Sequence, residues 1–238
     1  MISFMRFLSE YDIHIQNHVA GSIPFTPYAY QERMVDWIIE NPASELKILK
    51  ARQMGVTTNL YLLSLYEAVI NDKKVLYCSA NNSCSKNVGE KQRNIVRQFP
   101  SEIAGRNPIT TLKDNRIEFA GGGEILLTNA QRMSSDCRGS YRDLIIFDEA
   151  AYMHNLQELL WASYPALAGR VPGKIVLASS TGPSPIFKKK YKQGAKIWDS
   201  SLFLPWNLHP KFNHQWAASQ IKSMGMELFR KEYCGKFS

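Results

Sequence analysis

Lys50-Ala51-Arg52-Gln53-Met54-Gly55-Val56-Thr57-Thr58 follows the run Leu46 to Leu49 and precedes Leu60, Leu62, Leu63, Tyr66, Val69 and Ile70 at helical spacing. A strand, a tight turn at a glycine and a Thr-Thr helix start are the layout of a phosphate-binding loop. Backbone N–H groups and the positive end of the helix converge there on an anion. The consensus G-x-x-x-x-G-K-[ST] is half satisfied. Gly55 and Thr57 fit, whereas Lys50 stands at the first glycine and Val56 at the lysine. A nucleoside triphosphate still needs a cation on its outer phosphates, which Lys50 or Arg52 must supply from the front of the loop. Thr57 would offer its hydroxyl to Mg²⁺. The same stretch also fits a basic strand-to-helix turn without a ligand.

A second segment decides between the two. Asp143 opens Leu144-Ile145-Ile146-Phe147-Asp148-Glu149-Ala150, an apolar run that ends in two carboxylates. Such runs read as strands covered on both faces, as in parallel sheets. Acids at the carboxyl end of that strand share a sheet edge with the loop at Gly55, where ligands of open α/β sheets bind. For phosphoryl transfer Asp148 would hold Mg²⁺ and Glu149 would polarise the attacking water. Standing alone, the pair could equally cap the next helix.

The 238 residues suit one large domain, or one with a small appendage. Hydrophobic residues at 45% and charged residues at 21% are ordinary for a globular chain. Lys+Arg 29 against Asp+Glu 21 gives a formal +8, which favours a polyanionic partner, most simply nucleic acid. Cys78, Cys84, Cys137 and Cys234 form no C-x-x-C pair and do not group with histidines, so reduced thiols are expected and a zinc site is not. No run approaches the ~18 apolar residues of a membrane helix, and no signal peptide is legible, so a soluble intracellular protein is expected.

Residues 1–24 read as a peripheral helix or arm, and residues 25–238 as the main domain. Tyr30 to Ile39 shows helical spacing, Lys74 to Ala80 reads as a strand, and Ser83 to Phe99 as a helix with a polar face. Arg116 to Phe119 and Glu124 to Leu127 flank Gly121-Gly122-Gly123 as a hairpin. Lys174 to Ser179 is a further buried strand and Ile197 to Leu204 the last one, followed by helices at Trp216 to Met224 and Glu227 to Tyr233. The fold class is α/β, a mostly parallel central sheet covered by helices, with the architecture of P-loop NTPases of the RecA/ASCE type.

Further constellations accompany these two segments. Ser179-Ser180-Thr181 ends a buried strand at the same sheet edge, where hydroxyls can sense a γ-phosphate and relay its loss; such residues also close turns on their own backbone. Tyr30-Gln31 could stack on adenine and read its edge, or serve as a core tyrosine beside a helix cap. Arg138-Gly139, in the loop Met133 to Tyr141, could stabilise transition-state charge in cis or in trans. Lys188-Lys189-Lys190-Tyr191-Lys192, with Lys196, is a solvated helix face that could also touch a phosphate backbone.

In this order the motifs resemble the ATPase half of the large terminase subunit of tailed bacteriophages, over roughly residues 25 to 238. In that family the loop departs from consensus in the same way, with Arg-Gln before the glycine. The resemblance implies an ATP-driven motor that threads double-stranded DNA into a procapsid in the host cytoplasm, with ATP and Mg²⁺ as cofactors. It implies partners in the portal protein and the small terminase subunit, and a homo-oligomeric ring on the portal that is a monomer when isolated. By the family pattern Lys50, Ala51, Arg52, Gln53, Met54, Gly55, Val56, Thr57 and Thr58 form the nucleotide loop, with Tyr30 and Gln31 upstream. Asp148 and Thr57 hold metal, Glu149 is the catalytic base, and Lys50 and Arg52 supply charge. Ser179, Ser180 and Thr181 couple hydrolysis to movement, and Arg138 matches a finger that reaches a neighbouring subunit. Family members continue into a nuclease with a carboxylate cluster. None follows Glu232 to Ser238 here, so no nuclease activity is expected. The alternatives are a helicase or translocase not tied to a capsid, and a degenerate DNA-binding domain that does not hydrolyse.

Overall fold

A computed structural model describes residues 2–17, 21–137, 140–168, 173–194 and 200–237. The elements in chain order are α1 (Phe4–Glu10), β1 (His14–Asn17), β2 (Gly21–Pro24), α2 (Ala29–Glu40), β3 (Glu45–Lys50), α3 (Val56–Ile70), β4 (Lys74–Ser79) and α4 (Asn82–Arg97). Then come α5 (Ser101–Ala104), β5 (Ile109–Lys113), β6 (Arg116–Phe119), β7 (Glu124–Asn129), α6 (Met133–Asp136), β8 (Leu144–Asp148) and α7 (Leu156–Leu167). The chain closes with β9 (Lys174–Ser179), α8 (Pro185–Gly194), β10 (Ser201–Leu204), α9 (His214–Met224) and α10 (Met226–Tyr233).

Eight strands form one sheet in the order β10-β3-β9-β8-β4-β7-β6-β5. Pairing is parallel from β10 to β7 and antiparallel for β6 and β5. This is the mostly parallel, helix-covered sheet that the alternation of strands and helices predicts. The order matters for the site, because β9 lies between the loop strand β3 and the acid strand β8. Leu49 pairs with Ser179 and Ala178 with Asp148, so all three strands end level at one sheet edge.

The period-two alternation of side chains sorts each strand between two cores. Leu46, Ile48, Val75, Tyr77, Leu144, Ile146, Val176 and Ala178 face the core that includes α3. Leu76, Cys78, Ile145, Phe147, Ile175 and Leu177 face the one that includes α7. Strands covered on both sides read as continuous apolar runs, which is why β8 was legible. The α3 helix is buried nearly all round, from Val56 to Val69.

Residues 4–10 form a helix, one of the two forms expected for the N-terminal segment: Phe4, Phe7 and Leu8 are buried, and the rings of Phe4 and Phe7 pack edge-on against Tyr66 of α3. Gly21–Pro24 pairs antiparallel with His14–Asn17 as a small separate sheet. The hairpin at Gly121 to Gly123 forms as expected, but β5 joins it as a third antiparallel strand. The last strand is described from Ser201 onward; Lys196 and Ile197 lie outside the described residues. All four cysteines are free, with Cys78 and Cys137 buried.

Candidate functional site

Gly55 sits at φ 68°, ψ 13° as the N-cap of α3, and Gln53 at φ 61°. Left-handed backbone favours glycine, and a Cβ on Gly55 would lie 2.5 Å from Gln31 Nε2. These two turns bring the chain round from β3 so that the unpaired N–H groups of the first turn of α3 open at the sheet edge.

Tyr30 and Gln31 support this loop from behind. The Tyr30 hydroxyl donates to the Met54 carbonyl at 2.7 Å, and Gln31 Nε2 donates to the same oxygen at 3.0 Å. Gln31 Oε1 accepts from the Tyr28 N–H at 2.9 Å, and both side chains are buried. Burial pushes the Tyr30 phenol far up, so it stays a donor. Of the two readings left open for this pair, the contacts match a core tyrosine beside a helix cap: the polar atoms of Gln31 bond to protein partners, and the Tyr30 ring stacks with Tyr28.

Of the two candidate cations, Lys50 is the one that meets Glu149. It is buried, at 6% exposure, and its Nζ donates to Glu149 Oε1 at 2.8 Å. The other Glu149 oxygen accepts from Ser179 Oγ at 3.3 Å. Lys50, Glu149 and Ser179 come from the ends of β3, β8 and β9, which the strand order sets side by side. Glu149 is left-handed at φ 61°, ψ 42°, a strained backbone for a non-glycine residue of the kind that clusters at functional sites. Val56, at the position of the usual lysine, is 1% exposed and belongs to the core.

Arg52 turns away from the acids. It pairs with Glu232 of α10, its N–H donates to the Glu232 carbonyl at 3.1 Å, and its side chain is half-exposed. A hydrogen bond with Tyr152 and, against burial, the charge of Glu232 hold its guanidinium above the usual range. The Tyr152 hydroxyl donates to the Thr181 carbonyl at 3.0 Å, and Thr181 Oγ1 donates to the Lys231 carbonyl at 2.7 Å. Arg52, Tyr152, Thr181 and residues 231–232 thus form a closed ring linking the loop, the segment after Glu149, the Ser-Ser-Thr turn and α10. Sequence reasoning missed Tyr152, Lys231 and Glu232, none of which lies in a motif.

Asp148 lies on the α3 side of the sheet and is 5% exposed. Its Oδ2 accepts from the Tyr77 hydroxyl at 2.9 Å, and the Thr57 hydroxyl lies near the same carboxylate. Burial raises its pKa, the positive charge of Lys50 opposes this, and Glu149 adds to it. Asp148 Oδ1 and Ser79 Oγ are buried without a hydrogen-bond partner. Both residues line a cleft of ≈ 260 Å³ together with Thr57, Ser83, Cys84 and Glu149. An orphaned carboxylate oxygen beside a helix-start threonine is the donor set a hard divalent cation takes, so Asp148 and Thr57 fit Mg²⁺. Thr58 is half-buried in the same first turn, and its hydroxyl bonds to Tyr61.

Arg138 and Gly139 lie outside the described residues. The cationic run forms α8, where Lys190 is not free in solvent: its Nζ donates to Glu45 Oε2 at 3.0 Å and to the Tyr164 hydroxyl at 3.1 Å. Lys189 and Lys192 are exposed. Among the described residues no helix is long and apolar enough to cross a membrane.

No protein-family model matches the chain, and no curated protein does. Solved structures do. The Thermus phage P74-26 large terminase ATPase domain shares the fold at TM-score 0.67 and 17% identity, over 90% of this chain and 95% of that one. The HK97 bacteriophage large terminase gives TM-score 0.75 at 13% identity, over 100% of this chain and 56% of that one. A large terminase from a thermophilic bacteriophage, in complex with ADP, gives TM-score 0.61 at 14% identity, over 89% and 54%. The chain therefore has the fold of phage large terminase ATPase domains and spans about half of the two longer terminases.

Proposed function

We propose that this chain is the ATPase motor domain of a phage large terminase, hydrolysing ATP to drive double-stranded DNA into a procapsid. The observation that carries this reading is the meeting of Lys50, Glu149 and Ser179 at the mouth of the α3 loop, with Asp148 Oδ1 left open beside them. A binding scaffold has no use for a carboxylate held by a lysine and a serine at a phosphate-sized anion site. The fold shared with terminase ATPase domains, and the ADP bound in one large terminase, support this reading.

The N–H groups of the loop and the first turn of α3 would receive the phosphates. Asp148 and Thr57 would hold Mg²⁺, which when bound neutralises charge on the β- and γ-phosphates. A γ-phosphate arriving at Lys50 draws the ammonium off Glu149. The freed carboxylate, oriented by Ser179, accepts the proton of the attacking water. Loss of the γ-phosphate lets Lys50 return to Glu149 and changes the environment of Ser179, from which Thr181 leads to α10. Double-stranded DNA, the portal, the small subunit and a ring of copies are the partners of this reading. Arg138 would reach a neighbouring subunit.

The test is steady-state ATPase with and without DNA, alongside Glu149→Gln. That variant keeps shape and hydrogen bonding but cannot take the proton, so it should bind ATP with Mg²⁺ and fail to turn it over. Near-normal turnover by Glu149→Gln would remove the base assignment, and absence of any wild-type hydrolysis would favour the degenerate DNA-binding alternative.

A further inference from the structure

We propose that Tyr77 is a positioning residue for the metal: its hydroxyl pins Asp148 Oδ2 so that Oδ1 alone is presented to the cation. The proposal rests on the ATPase reading and names a residue that no loop or acid motif contains. Tyr77 is fully buried on β4, the neighbour of the acid strand, and its ladder partner is Ile146. Both residues face the α3 core, and Asp148 is the next residue of β8 on that face, roughly 6.6 Å further along. That is the reach of a tyrosine ring, and the hydroxyl closes on Oδ2 at 2.9 Å.

The consequence lies in the two oxygens. One is bound by a fully buried phenol, and the other is buried without a partner on the wall of the cleft that Thr57 and Ser79 also line. A carboxylate free to rotate could offer either oxygen or both. Held from behind, it offers one, at a fixed angle to the Thr57 hydroxyl. Groups that orient a metal ligand in this way commonly change metal affinity by about 10–100-fold when removed.

The experiment titrates Mn²⁺ into the full chain saturated with ADP, following bound metal by electron paramagnetic resonance, and measures metal-free ADP affinity separately. Tyr77→Phe should leave metal-free ADP affinity unchanged and weaken Mn²⁺ about tenfold or more. In an Asp148→Asn background the same change should weaken Mn²⁺ no further, because Tyr77 acts through that carboxylate. Mn²⁺ affinity in Tyr77→Phe within twofold of wild type overturns the proposal, as does an equal loss in both backgrounds. If Tyr77→Phe does not fold, the double variant decides. Removing the stranded charge must restore folding, and a double variant that stays unfolded overturns the proposal too. Wild-type protein that binds ADP but no Mn²⁺ defeats this proposal alone, whereas wild type that binds neither defeats the ATPase reading with it.

Discussion

At the scale of residues, the deciding fact is where a cation can stand. A lysine at position 56 would extend from the first turn of α3, but the residue there is Val56, packed into the core. On the reading proposed above Lys50 takes its place, since β3 lies beside β9 with β8 next in line, which puts its ammonium against Glu149. Lys50→Ala should therefore lower turnover by orders of magnitude, since a positioned charge on a transferring phosphoryl group contributes several kcal/mol. Val56→Ala should leave turnover close to wild type while lowering stability by roughly 1–3 kcal/mol through lost packing. The paired measurement is kcat beside a denaturant melt. Equal kinetic effects from the two changes, or none from Lys50→Ala, would defeat the assignment. The sequence left Lys50 and Arg52 equal because two cations two residues apart differ only in the direction of their side chains. That direction is set by Glu232, far along the chain.

At the scale of elements, the site was legible where a motif sits on a single strand end and illegible where it depends on a distant helix. The loop, the acid pair and the Ser-Ser-Thr turn each close a buried apolar run, so periodicity located them. The ring through Arg52, Tyr152, Thr181 and residues 231–232 joins four separate elements and leaves no local pattern. The same reason hid β5, whose burial alternates weakly at the sheet edge, and the β1–β2 hairpin, whose second strand ends in proline. Tyr30 and Gln31 were found but left between two readings, since spacing cannot tell a ring that meets a base from one that meets the loop carbonyl. The ring has a testable consequence. Thr181→Val removes the hydroxyl that holds the Lys231 carbonyl, and Glu232→Gln removes the charge opposite Arg52. Either change should speed amide hydrogen exchange across α10 while leaving exchange in α3 unaltered, because α3 is held by the core. If α10 is coupled to the turn, ATP should slow its exchange in wild type and have a smaller effect in Thr181→Val. Identical protection of α10 in both proteins, with and without ATP, would show that the contact transmits nothing.

At the scale of the whole molecule, the sheet gathers Lys50, Thr57, Asp148, Glu149 and Ser179 at one edge. Among the described residues no further arginine stands with them, since Arg52 is turned to α10 and Arg142 is buried against Glu124. Arg138 remains the candidate for transition-state charge, and the resemblance gives it to a neighbouring subunit. A finger acting in trans completes a site only when a neighbour docks, which ties hydrolysis to ring formation. The isolated domain should then be a slow ATPase that accelerates on assembly, and Arg138→Ala should bind nucleotide normally yet lose that acceleration. Mixing Arg138→Ala with Glu149→Gln under assembling conditions separates the two arrangements. A subunit carrying Arg138→Ala keeps its base, and its Glu149→Gln neighbour keeps its arginine, so the junction between unlike subunits holds one intact site. ATP turnover in the mixture, rising with the fraction of unlike junctions, is the expected result. A mixture as inactive as its components, beside active wild-type rings, would mean that Arg138 works within its own subunit or only supports the loop Met133 to Tyr141.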